Sequence, residues 1–339
     1  MLAGLSPDIT HLHFPYPIGE ISQLLLNRGR TVITYHSDVV RGSQQLILRL
    51  YRPLMRLVLR RAARIVVTSP NYIVSSPHLR RMADRCVVVP LGVDLRRFQP
   101  ESVVRPTGLL RNHQSSVISR QPSTFNNQQI AIGNLQSKIS NQQSILFLGR
   151  LRYYKGLDTL IHAMQEINAR LILGGDGPMR AEWEALAQRI GVADRVTFVG
   201  ELPEAELAAF YHSGDLFVLP ASARSEAFGT VLLEAMASGL ACVTTELGTG
   251  TSYVVQDGVT GLVVPPHSSR ALADAINRLL ADDELRTRMS QAGLARAKRE
   301  FALEKMVEKV EAVYRWARAN LVNEYETNKR MQVAAAETR

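Results

Sequence analysis

The sequence predicts an α/β protein with two domains, each built on a parallel sheet. Short apolar runs alternate with longer amphipathic stretches along most of the chain, which is the pattern of repeated β-α-β units. The alternation stops over residues 102–144, where Asn, Gln and Ser dominate, and then resumes. At 339 residues, the chain is long enough for two domains of about 100 to 200 residues each.

Ten apolar runs have the length and composition of buried strands. Four precede the polar segment: Ile9–His13, Val32–His36, Ile65–Ser69 and Val87–Pro90. Six follow it: Ile145–Gly149, Ala169–Gly174, Val196–Gly200, Leu216–Pro220, Ala241–Thr245 and Gly261–Val264. We therefore expect a first domain over residues 1–101 and a second domain over residues 145–303.

The segment 102–144 contains a heptad repeat that starts at Asn112 and reads NHQSSVI, SRQPSTF, NNQQIAI, GNLQSKI and SNQQSIL. A heptad suggests a coiled coil, but most units have too few apolar side chains to fill both seam positions, and Pro122 and Gly133 interrupt the segment. Such a composition cannot bury enough surface to offset the entropy of ordering. We predict a disordered low-complexity insertion without chemistry that separates the two domains.

The sequence after residue 268 predicts successive helices, with Asp282-Asp283-Glu284 as an acidic helix start. The last helix is predicted over residues 304–328, and its face bears Met306, Val310, Tyr314 and Ala317. Such a stripe indicates packing, and we expect this helix to fold back toward the first domain. Residues 329–339 are predicted to be a frayed tail.

The composition is that of an ordinary globular protein, with 46% hydrophobic and 21% charged residues, which excludes collagen-like, wholly disordered and disulfide-scaffold chains. Two cysteines are too few for a disulfide framework or a cysteine-based zinc site, so a reducing compartment is expected. We also expect neither a secretory signal nor a spanning helix. These features predict a cytoplasmic protein that would meet a membrane peripherally, at its inner face.

The net charge of +9 lies in the first hundred residues, which contain 14 Arg, no Lys and 5 acidic residues. Within the Arg-rich region 41–64, two faces alternate at helical spacing: Arg49, Arg52, Arg56 and Arg60 on one, and Ile47, Leu50, Leu54 and Val58 on the other. Pro53 predicts a kink or a break. Such a helix could rest on an anionic membrane surface, or it could dock on its sheet with a solvated Arg face. Nucleic-acid binding is not expected, because aromatic platforms and a recognised module are lacking.

The segment 225–239, SEAFGTVLLEAMASG, follows the predicted strand Leu216–Pro220, and Gly229 opens a helix. The loop and the first helical amides would form an anion-accepting edge at the carboxyl end of the sheet. Glu226 and Glu234 would face one crevice, where carboxylates suit bidentate hydrogen bonds to sugar or ribose hydroxyls. The alternative is a solvated loop acid and an unrelated helix acid, which the combined spacing, Phe-Gly turn and apolar helix disfavour.

A second loop, GRLRYYKG over residues 149–156, directly follows another predicted strand. It would present Arg150 and Lys155 to a diphosphate, with each charge-assisted hydrogen bond contributing about 1.5–3 kcal/mol. These cations would also stabilise negative charge on a departing nucleotide. From this motif alone, two solvated basic residues in a turn are an equal alternative.

Together these motifs resemble the retaining, GT-B-fold glycosyltransferases of family four. The resemblance rests on Glu226-x7-Glu234 around Phe228-Gly229, the GRL and KG ends of the loop 149–156, Gly175-Asp176-Gly177-Pro178, and Pro90-Leu91-Gly92-Val93-Asp94. Finer features are similar to a branch associated with O-antigen and other surface-polysaccharide assembly: Tyr35-His36-Ser37-Asp38, Thr68-Ser69-Pro70-Asn71-Tyr72, Tyr153-Tyr154-Lys155-Gly156 and Glu246-Leu247-Gly248-Thr249-Gly250. The resemblance covers about residues 8–100 and 145–318.

The resemblance implies two Rossmann-like, doubly wound domains that face a cleft. It also implies transfer of a hexose from a UDP- or GDP-sugar to a glycan or lipid-linked acceptor, with retention of configuration and without a metal or other cofactor. By the family pattern, Arg150 and Lys155 hold the donor diphosphate. Glu234 takes the ribose hydroxyls, and Glu226 contacts the hexose beside the amides of Ala227, Phe228 and Gly229.

His36 matches a position where family members place a histidine near the reacting sugar, although it could equally be a satisfied polar group at a strand end. We interpret His11 and His13 as structural. Gly248-Thr249-Gly250 could border the donor site. Family members also begin with a strand, a glycine-rich turn and a helix ahead of the strand that Ile9–His13 resembles. We therefore expect an incomplete first domain, and the alternative function is that of a truncated, catalytically impaired homologue that only binds nucleotide.

Overall fold

The computed structural model describes the backbone of residues 6–38, 45–98 and 142–337, and their side chains except those of 45–50 and 321–337. The predicted insertion 102–144 therefore lies outside the described residues, apart from its last few positions. Arg41 and the side chain of Arg49, which belong to the Arg-rich region, also lie outside them.

The first domain contains a four-stranded parallel sheet with the order β1-β2-β3-β4. The strands are β1 (Ile9–Phe14), β2 (Arg30–Tyr35), β3 (Arg64–Val67) and β4 (Cys86–Val88). The connecting helices are α1 (Pro17–Leu26), α2 (Gln45–Arg61), α3 (Pro70–Ser75) and a 3₁₀ helix (Leu79–Arg85). In the β1–β2 register His13 pairs with Thr34, and Phe14 pairs with Tyr35. His13 near the end of β1 and His36 just after β2 therefore lie close together at the carboxyl edge of the sheet.

The second domain contains a six-stranded parallel sheet with the order β10-β9-β8-β5-β6-β7. Its strands are β5 (Ser144–Leu148), β6 (Arg170–Gly174), β7 (Val196–Gly200), β8 (Leu216–Leu219), β9 (Ala241–Thr245) and β10 (Gly261–Val264). Because β5 pairs with β6 on one side and with β8 on the other, the strand order reverses at the β5–β8 pair. A sheet of this type opens a crevice beyond the carboxyl ends of the strands at that point.

The remaining helices cover this second sheet or lead away from it. They are α4 (Leu95–Phe98), α5 (Leu157–Ala163), α6 (Arg180–Arg189), α7 (Leu207–His212), α8 (Thr230–Ala237), α9 (Thr251–Val254), α10 (Ser269–Ala281), α11 (Asp283–Glu300) and α12 (Leu303–Glu337). Strands β5, β8 and β9 are buried along their whole length, as expected for a parallel sheet with helices on both faces. The prediction of two Rossmann-like α/β domains is confirmed.

Side-chain caps start the helices near the end of the chain. The Ser268 hydroxyl accepts a hydrogen bond from the backbone N–H of Ala271, and an Asp282 carboxylate oxygen accepts one from that of Leu285. Each cap satisfies an amide that the first helical turn leaves without a partner. The acidic helix start predicted at Asp282 is therefore present in the structure.

Helix α12 returns from the second domain to the first sheet. Its Val313 and Ala317 are buried against Val32 and Val66. The helix continues beyond the predicted end at residue 328 and runs to Glu337. The longer helix has a simple cause, since the sequence after residue 323 contains many good helix formers and no Gly or Pro.

Helix α2 is one continuous element that includes Pro53, so of the two predicted alternatives, a kink or a break, the break is wrong. Met55, Val58 and Leu59 are buried in the first-domain core, and this burial offsets the hydrogen bond that a proline removes from a helix. Arg52, Arg56 and Arg60 are exposed. No helix among the described residues is long and apolar enough to cross a membrane.

Candidate active site

Two loops meet at the point where the strand order of the second sheet reverses. One follows β5 over residues 149–156, and the other follows β8 over residues 220–229. Gly156 has φ 68°, and a Cβ at this position would lie 2.1 Å from the carbonyl oxygen of Pro220. The Ser222 amide also donates to the Tyr154 carbonyl over 2.8 Å. Glycine at 156 therefore allows the two loops to form one wall of the crevice.

This wall brings together two of the predicted site residues. Lys155 Nζ donates to Glu226 Oε2 over 2.6 Å, and the two side chains are only 10% and 11% exposed. A Cβ on Gly149 would lie 3.3 Å from this amine, so the glycine leaves the space beside Lys155 open. The contact places a cation and a carboxylate side by side at the carboxyl end of β5.

Arg150 lies on the same loop and is exposed. Among the described residues it forms no ion pair with a carboxylate, in contrast to Lys155. An exposed guanidinium without a carboxylate partner is available to an anionic ligand.

The loop that bears Glu226 continues into helix α8. Gly229 is the residue before the helix and has φ 80°, a left-handed conformation that favours glycine. Phe228 is buried, and Ala227 packs against the hydrophobic core of the first domain. The amides predicted to lie near the donor therefore sit where the two domains touch.

A third loop, Gly248-Thr249-Gly250, packs against the loop that bears Glu226 and hydrogen-bonds to its backbone. The Thr249 hydroxyl donates to the Glu226 carbonyl over 2.8 Å, and the Gly250 amide donates to the Ala227 carbonyl over 2.8 Å. A Cβ on Gly250 would lie 2.6 Å from the Cα of Phe228. The loop that the sequence suggested as a border of the donor site thus fixes the backbone of the Glu226 loop.

The turn at Asp176 stabilises the loop 149–156 through similar backbone contacts. The Leu151 amide donates to the Asp176 carbonyl over 2.9 Å, and a Cβ on Gly177 would lie 2.4 Å from the Leu151 carbonyl oxygen. Asp176 also pairs with Arg180 over 3.0 Å. The Gly-Asp-Gly-Pro turn therefore contacts the loop 149–156 through the backbone of residue 151.

Glu234 lies on α8 and contacts a different partner from Glu226. The Tyr211 hydroxyl donates to Glu234 Oε2 over 2.7 Å. Burial raises the pKa of Glu234, and the hydrogen bond from Tyr211 acts in the opposite direction. Tyr211 itself is buried, and burial raises its pKa well above the usual value. Nothing in the sequence around Tyr211 singled it out, because its contact with Glu234 exists only in the folded protein.

The first domain contributes a row of histidine rings at the carboxyl edge of β1 and β2. The His11 and His13 rings stack 4.9 Å apart, and the His13 and His36 rings stack 5.1 Å apart. His13 Nδ1 and His36 Nε2 lie 2.8 Å apart. His13 and His36 are exposed and line an open cavity of about 600 Å³ with Tyr16 and Gln23.

His11 and His13 have different surroundings. His11 is half-buried and bonds through its two ring nitrogens to Tyr314 and Thr34, which fits a structural role. The ring of His13, in contrast, is exposed and contacts His36 directly, and its structural role stays a prediction. The alternation of His11 and His13 with apolar residues could not distinguish them, since both point to the same face of β1.

Burial and repulsion from neighbouring rings lower the pKa of two of these histidines, His11 and His36. Burial lowers the pKa of His11 to about 4, and His13 and His36 add to the effect. Burial also lowers the pKa of His36, again with a contribution from His13. Neutral rings can each both donate and accept one hydrogen bond.

An ion pair joins the two domains beside these sites. Arg224 Nη2 donates to Asp38 Oδ2 over 2.9 Å, and the Asp38 side chain is only 8% exposed. The hydroxyls of Tyr35 and Ser76 donate to Asp38 Oδ1 over 2.8 and 2.7 Å. Arg224 precedes Glu226 by two residues and Asp38 follows His36 by two, so the pair links the two halves of the candidate site.

Further contacts lie along the same junction. The Ser75 hydroxyl donates to the Gly248 carbonyl, and Asn71 donates to the Ser252 hydroxyl over 3.2 Å. Within the described ranges, no group of three or more His, Cys, Asp or Glu side chains could hold a metal ion.

Two family models match this chain. The model described as "Glycosyl transferases group 1" matches residues 134–296, and the model described as "Glycosyltransferase Family 4" matches residues 1–97. The first includes both loops of the second domain, and the second includes the histidine row and Asp38.

Two curated relatives cover most of the chain. It is 32% identical over 302 residues to O-antigen chain mannosyltransferase C of Escherichia coli, covering 89% of this chain and 73% of the relative. It is 33% identical over 295 residues to the D-rhamnosyltransferase WbpZ of Pseudomonas aeruginosa, covering 87% of this chain and 70% of the relative.

Solved structures agree with the fold. Sucrose-phosphate synthase of Thermosynechococcus elongatus superimposes with a TM-score of 0.74 at 26% identity, covering 94% of this chain and 76% of that one. HepE of Anabaena, solved with UDP, gives 0.69 at 21% identity, with 88% and 75% covered. The chain therefore belongs to the group 1 glycosyltransferases of glycosyltransferase family 4, and it is a transferase enzyme with the GT-B fold.

Proposed function

We propose that this glycosyltransferase moves a hexose from a UDP- or GDP-sugar to a glycan or lipid-linked acceptor, with retention of configuration, during synthesis of O-antigen or a related surface polysaccharide. The names of the two curated relatives support the polysaccharide context. The observation that carries the donor assignment is the Lys155–Glu226 contact at the crevice, beside the exposed Arg150.

In this proposal Arg150 and Lys155 bind the donor diphosphate. Arg150 is free to form a bidentate contact with phosphate oxygens, and Lys155 adds a second positive charge close to Glu226. The two cations supply the charge stabilisation that a departing nucleoside diphosphate needs, so a metal ion is not required by this scheme.

The two carboxylates recognise hydroxyl groups at different parts of the donor. Glu226 accepts from the hexose hydroxyls, because it lies beside the cation that holds the adjoining phosphate. The amides of Ala227, Phe228 and Gly229 lie on the same loop and can donate to the hexose or the phosphate. Glu234, about one turn into helix α8 and held by Tyr211, accepts from the ribose hydroxyls.

Retention follows from attack on the face from which the leaving group departs. The acceptor oxygen bonds to the anomeric carbon as the bond between that carbon and the diphosphate oxygen breaks, and the departing diphosphate takes the acceptor proton. We place His36, hydrogen-bonded to His13, beside the reacting hexose on the first-domain side. The pKa of His36 is lowered, so its ring can orient sugar hydroxyls there without adding a charge.

A lipid-linked acceptor would bring the first domain to an anionic membrane surface. For the Arg-rich region 41–64 the two alternatives were a helix resting on a membrane and a helix docked on its sheet. Helix α2 is compatible with both, since its apolar side chains dock on the core while Arg52, Arg56 and Arg60 remain exposed. We propose that this exposed face lies against the inner leaflet, where each surface arginine contributes about 1 kcal/mol.

Donor binding and transfer can be tested separately. The purified protein is incubated with a panel of UDP- and GDP-sugars, and nucleotide affinity is measured by calorimetry for the wild type and for Arg150→Ala. Removal of one charge-assisted interaction should weaken binding of the matching nucleoside diphosphate about 10- to 100-fold. Arg152→Ala is the matched control, because it removes the same charge from the same loop and should bind as the wild type does.

The outcomes separate the leading function from its alternative. Transfer of a hexose whose anomeric configuration is retained, as read by NMR of the product, supports the full proposal. Nucleotide binding without transfer or donor hydrolysis supports the impaired homologue that only binds nucleotide. Neither binding nor hydrolysis with any donor contradicts the donor-site assignment.

A further inference from the structure

The first domain contains a second cavity, distinct from the crevice, with a strongly basic lining. It has a volume of about 250 Å³ and lies between helix α2 and the 3₁₀ helix Leu79–Arg85. The titratable residues that line it are Arg56, Arg60, His78, Arg81, Asp84 and Arg85. Four guanidinium groups thus face one carboxylate.

Three of these arginines have no compensating partner in the described part of the chain. Arg56, Arg60 and Arg81 are exposed, and none forms a salt bridge with a described carboxylate. In contrast, Arg224 is paired with Asp38. The unpaired charges concentrate positive potential around the cavity.

The fourth arginine fixes the walls of the cavity. The Arg85 guanidinium donates to the Arg60 carbonyl and, over 3.1 Å, to the Ala62 carbonyl. These bonds satisfy carbonyl groups at the C-terminal end of α2, which basic side chains commonly do. Because Arg85 fills that role, the side chains of Arg56 and Arg81 are not needed to cap the helix.

The pKa of His78 indicates that the electrostatic potential at the edge of the cavity is positive. Burial lowers its pKa and Asp38 raises it, while Arg56, Arg52 and Arg81 lower it further. The arginines therefore disfavour another positive charge at the edge of the cavity. The volume also limits the ligand, since about 250 Å³ is smaller than the roughly 300–1,000 Å³ typical of sites for whole small molecules. A compact anionic group fits better than a complete nucleotide sugar.

We propose that this cavity is a binding site for a phosphate or diphosphate group, with Arg56, Arg60 and Arg81 as its cationic ligands. Guanidinium groups suit phosphate because they donate two parallel hydrogen bonds to its oxygens. The group can belong to a soluble phosphate compound or to the headgroup of a phospholipid. The site does not depend on the donor crevice, which lies on the second domain.

Hydrogen–deuterium exchange of the full chain with inorganic pyrophosphate as the probe locates the binding. Protection is expected in residues 54–61 and 77–85, and it can be told apart from any protection in the donor loop 149–156. In an Arg56→Gln/Arg81→Gln variant, the pyrophosphate concentration that gives half-maximal protection of these segments should rise roughly 100-fold, about tenfold for each guanidinium group removed. The control, Arg189→Gln/Arg288→Gln, removes the same charge from exposed positions on α6 and α11 and should leave this protection unchanged.

Vesicle sedimentation distinguishes the two sources of phosphate. If the ligand is a lipid headgroup, the wild type and the control variant sediment with phosphatidylglycerol vesicles but not with phosphatidylcholine vesicles, and the cavity variant loses most of this binding. If pyrophosphate protects the cavity and vesicle binding is equal in all three proteins, the ligand is soluble. If pyrophosphate protects neither segment and the cavity variant sediments as the control does, the proposal is overturned.

Discussion

Lys155 and Glu226 form a nearly buried ion pair, with 2.6 Å between Nζ and Oε2, across two loops that come from adjacent strands. The pair lies where β5 and β8 adjoin and the strand order of the second sheet reverses. It joins the proposed ligand of the phosphate to the proposed ligand of the hexose. The same contact should therefore serve both stability and donor recognition.

Breaking this pair from one side should destabilise the second domain. Lys155→Met leaves the Glu226 carboxylate without its partner, and we expect the free energy of unfolding to fall by about 3 kcal/mol. Glu226→Gln should have a similar effect. Urea unfolding followed by the fluorescence of Trp183, in a Trp316→Phe background, measures the second domain, because Trp183 is buried there.

The double variant Lys155→Met/Glu226→Gln checks the cause. If the charges stabilise one another, its destabilisation should be smaller than the sum of the two single effects by at least about 1 kcal/mol. Additive effects would show that the two side chains act independently, which would contradict the coupling inferred from the distance.

Glu234 should make nucleotide binding depend on pH above the usual titration range of a glutamate. Its pKa is raised by burial, and the carboxylate must be ionised to accept two ribose hydroxyls. As pH falls through this raised pKa, the affinity for the nucleoside diphosphate should decrease. Calorimetric titration at a series of pH values measures the midpoint.

The hydrogen bond from Tyr211 lowers the pKa of Glu234, so a variant without this bond should shift the pH dependence in a known direction. Tyr211→Phe removes a donor that stabilises the charged carboxylate, so the midpoint should move to higher pH. Glu234→Gln should bind more weakly and without this pH step. A midpoint unchanged by Tyr211→Phe would show that the hydroxyl does not tune Glu234.

Glu226, Glu234, Arg150 and Lys155 could be chosen as candidate site residues from the sequence, because each lies near a strand end or a helix start that the local pattern predicts. The ten strands in the described part of the chain could be predicted for the same reason, since buried parallel strands are short apolar runs. The contacts of Tyr211 with Glu234 and of Arg224 with Asp38 could not be predicted, because the partners are far apart in the chain and meet only through packing.

Helix α2 shows why a local rule can also mislead. Proline usually interrupts a helix, yet α2 continues past Pro53 because the residues after it bury a complete apolar face. His13 shows the same limit. The strand pattern predicted on which face of the sheet its side chain lies, but it did not predict that the side chain is exposed at the end of β1. Tertiary packing determines both the continuity of helix α2 at Pro53 and the exposure of His13.

The Asp38–Arg224 pair should hold the two domains in their present arrangement. Asp38→Asn removes the charge that Arg224 contacts and keeps the side chain close in size, so the domains should separate more easily. We expect a larger radius of gyration by small-angle X-ray scattering in the absence of nucleotide. Arg224→Ala should give the same change.

A matched variant separates this effect from a general decrease in charge. Arg180 pairs with Asp176 and Glu184 within the second domain, so Arg180→Ala should leave the radius of gyration as in the wild type. Scattering curves of Asp38→Asn and Arg224→Ala that superimpose on that of the wild type would show that the ion pair does not control the domain arrangement.

His11 should make the first domain less stable as the pH falls below neutral. Its folded pKa is about 4 and its unfolded value is 6.5, so between these values the unfolded chain binds a proton that the folded protein does not. The free energy of unfolding should therefore fall with decreasing pH, by at most about 1.4 kcal/mol per pH unit, and by less because solvent partly screens a half-exposed ring. Below pH 4 this contribution should level off.

Urea unfolding between pH 7 and pH 4.5 measures the slope for the wild type and for His11→Gln. The variant keeps a side chain that can hydrogen-bond to Thr34 or Tyr314 but does not titrate, so its slope should be smaller by the contribution of one proton. Burial and the neighbouring rings of His13 and His36 cause the low pKa, and removing one of these neighbours should reduce the slope in part. Equal slopes for the wild type and His11→Gln would mean that His11 releases its proton at the same pH in the folded and unfolded chain, contrary to its position in the histidine row.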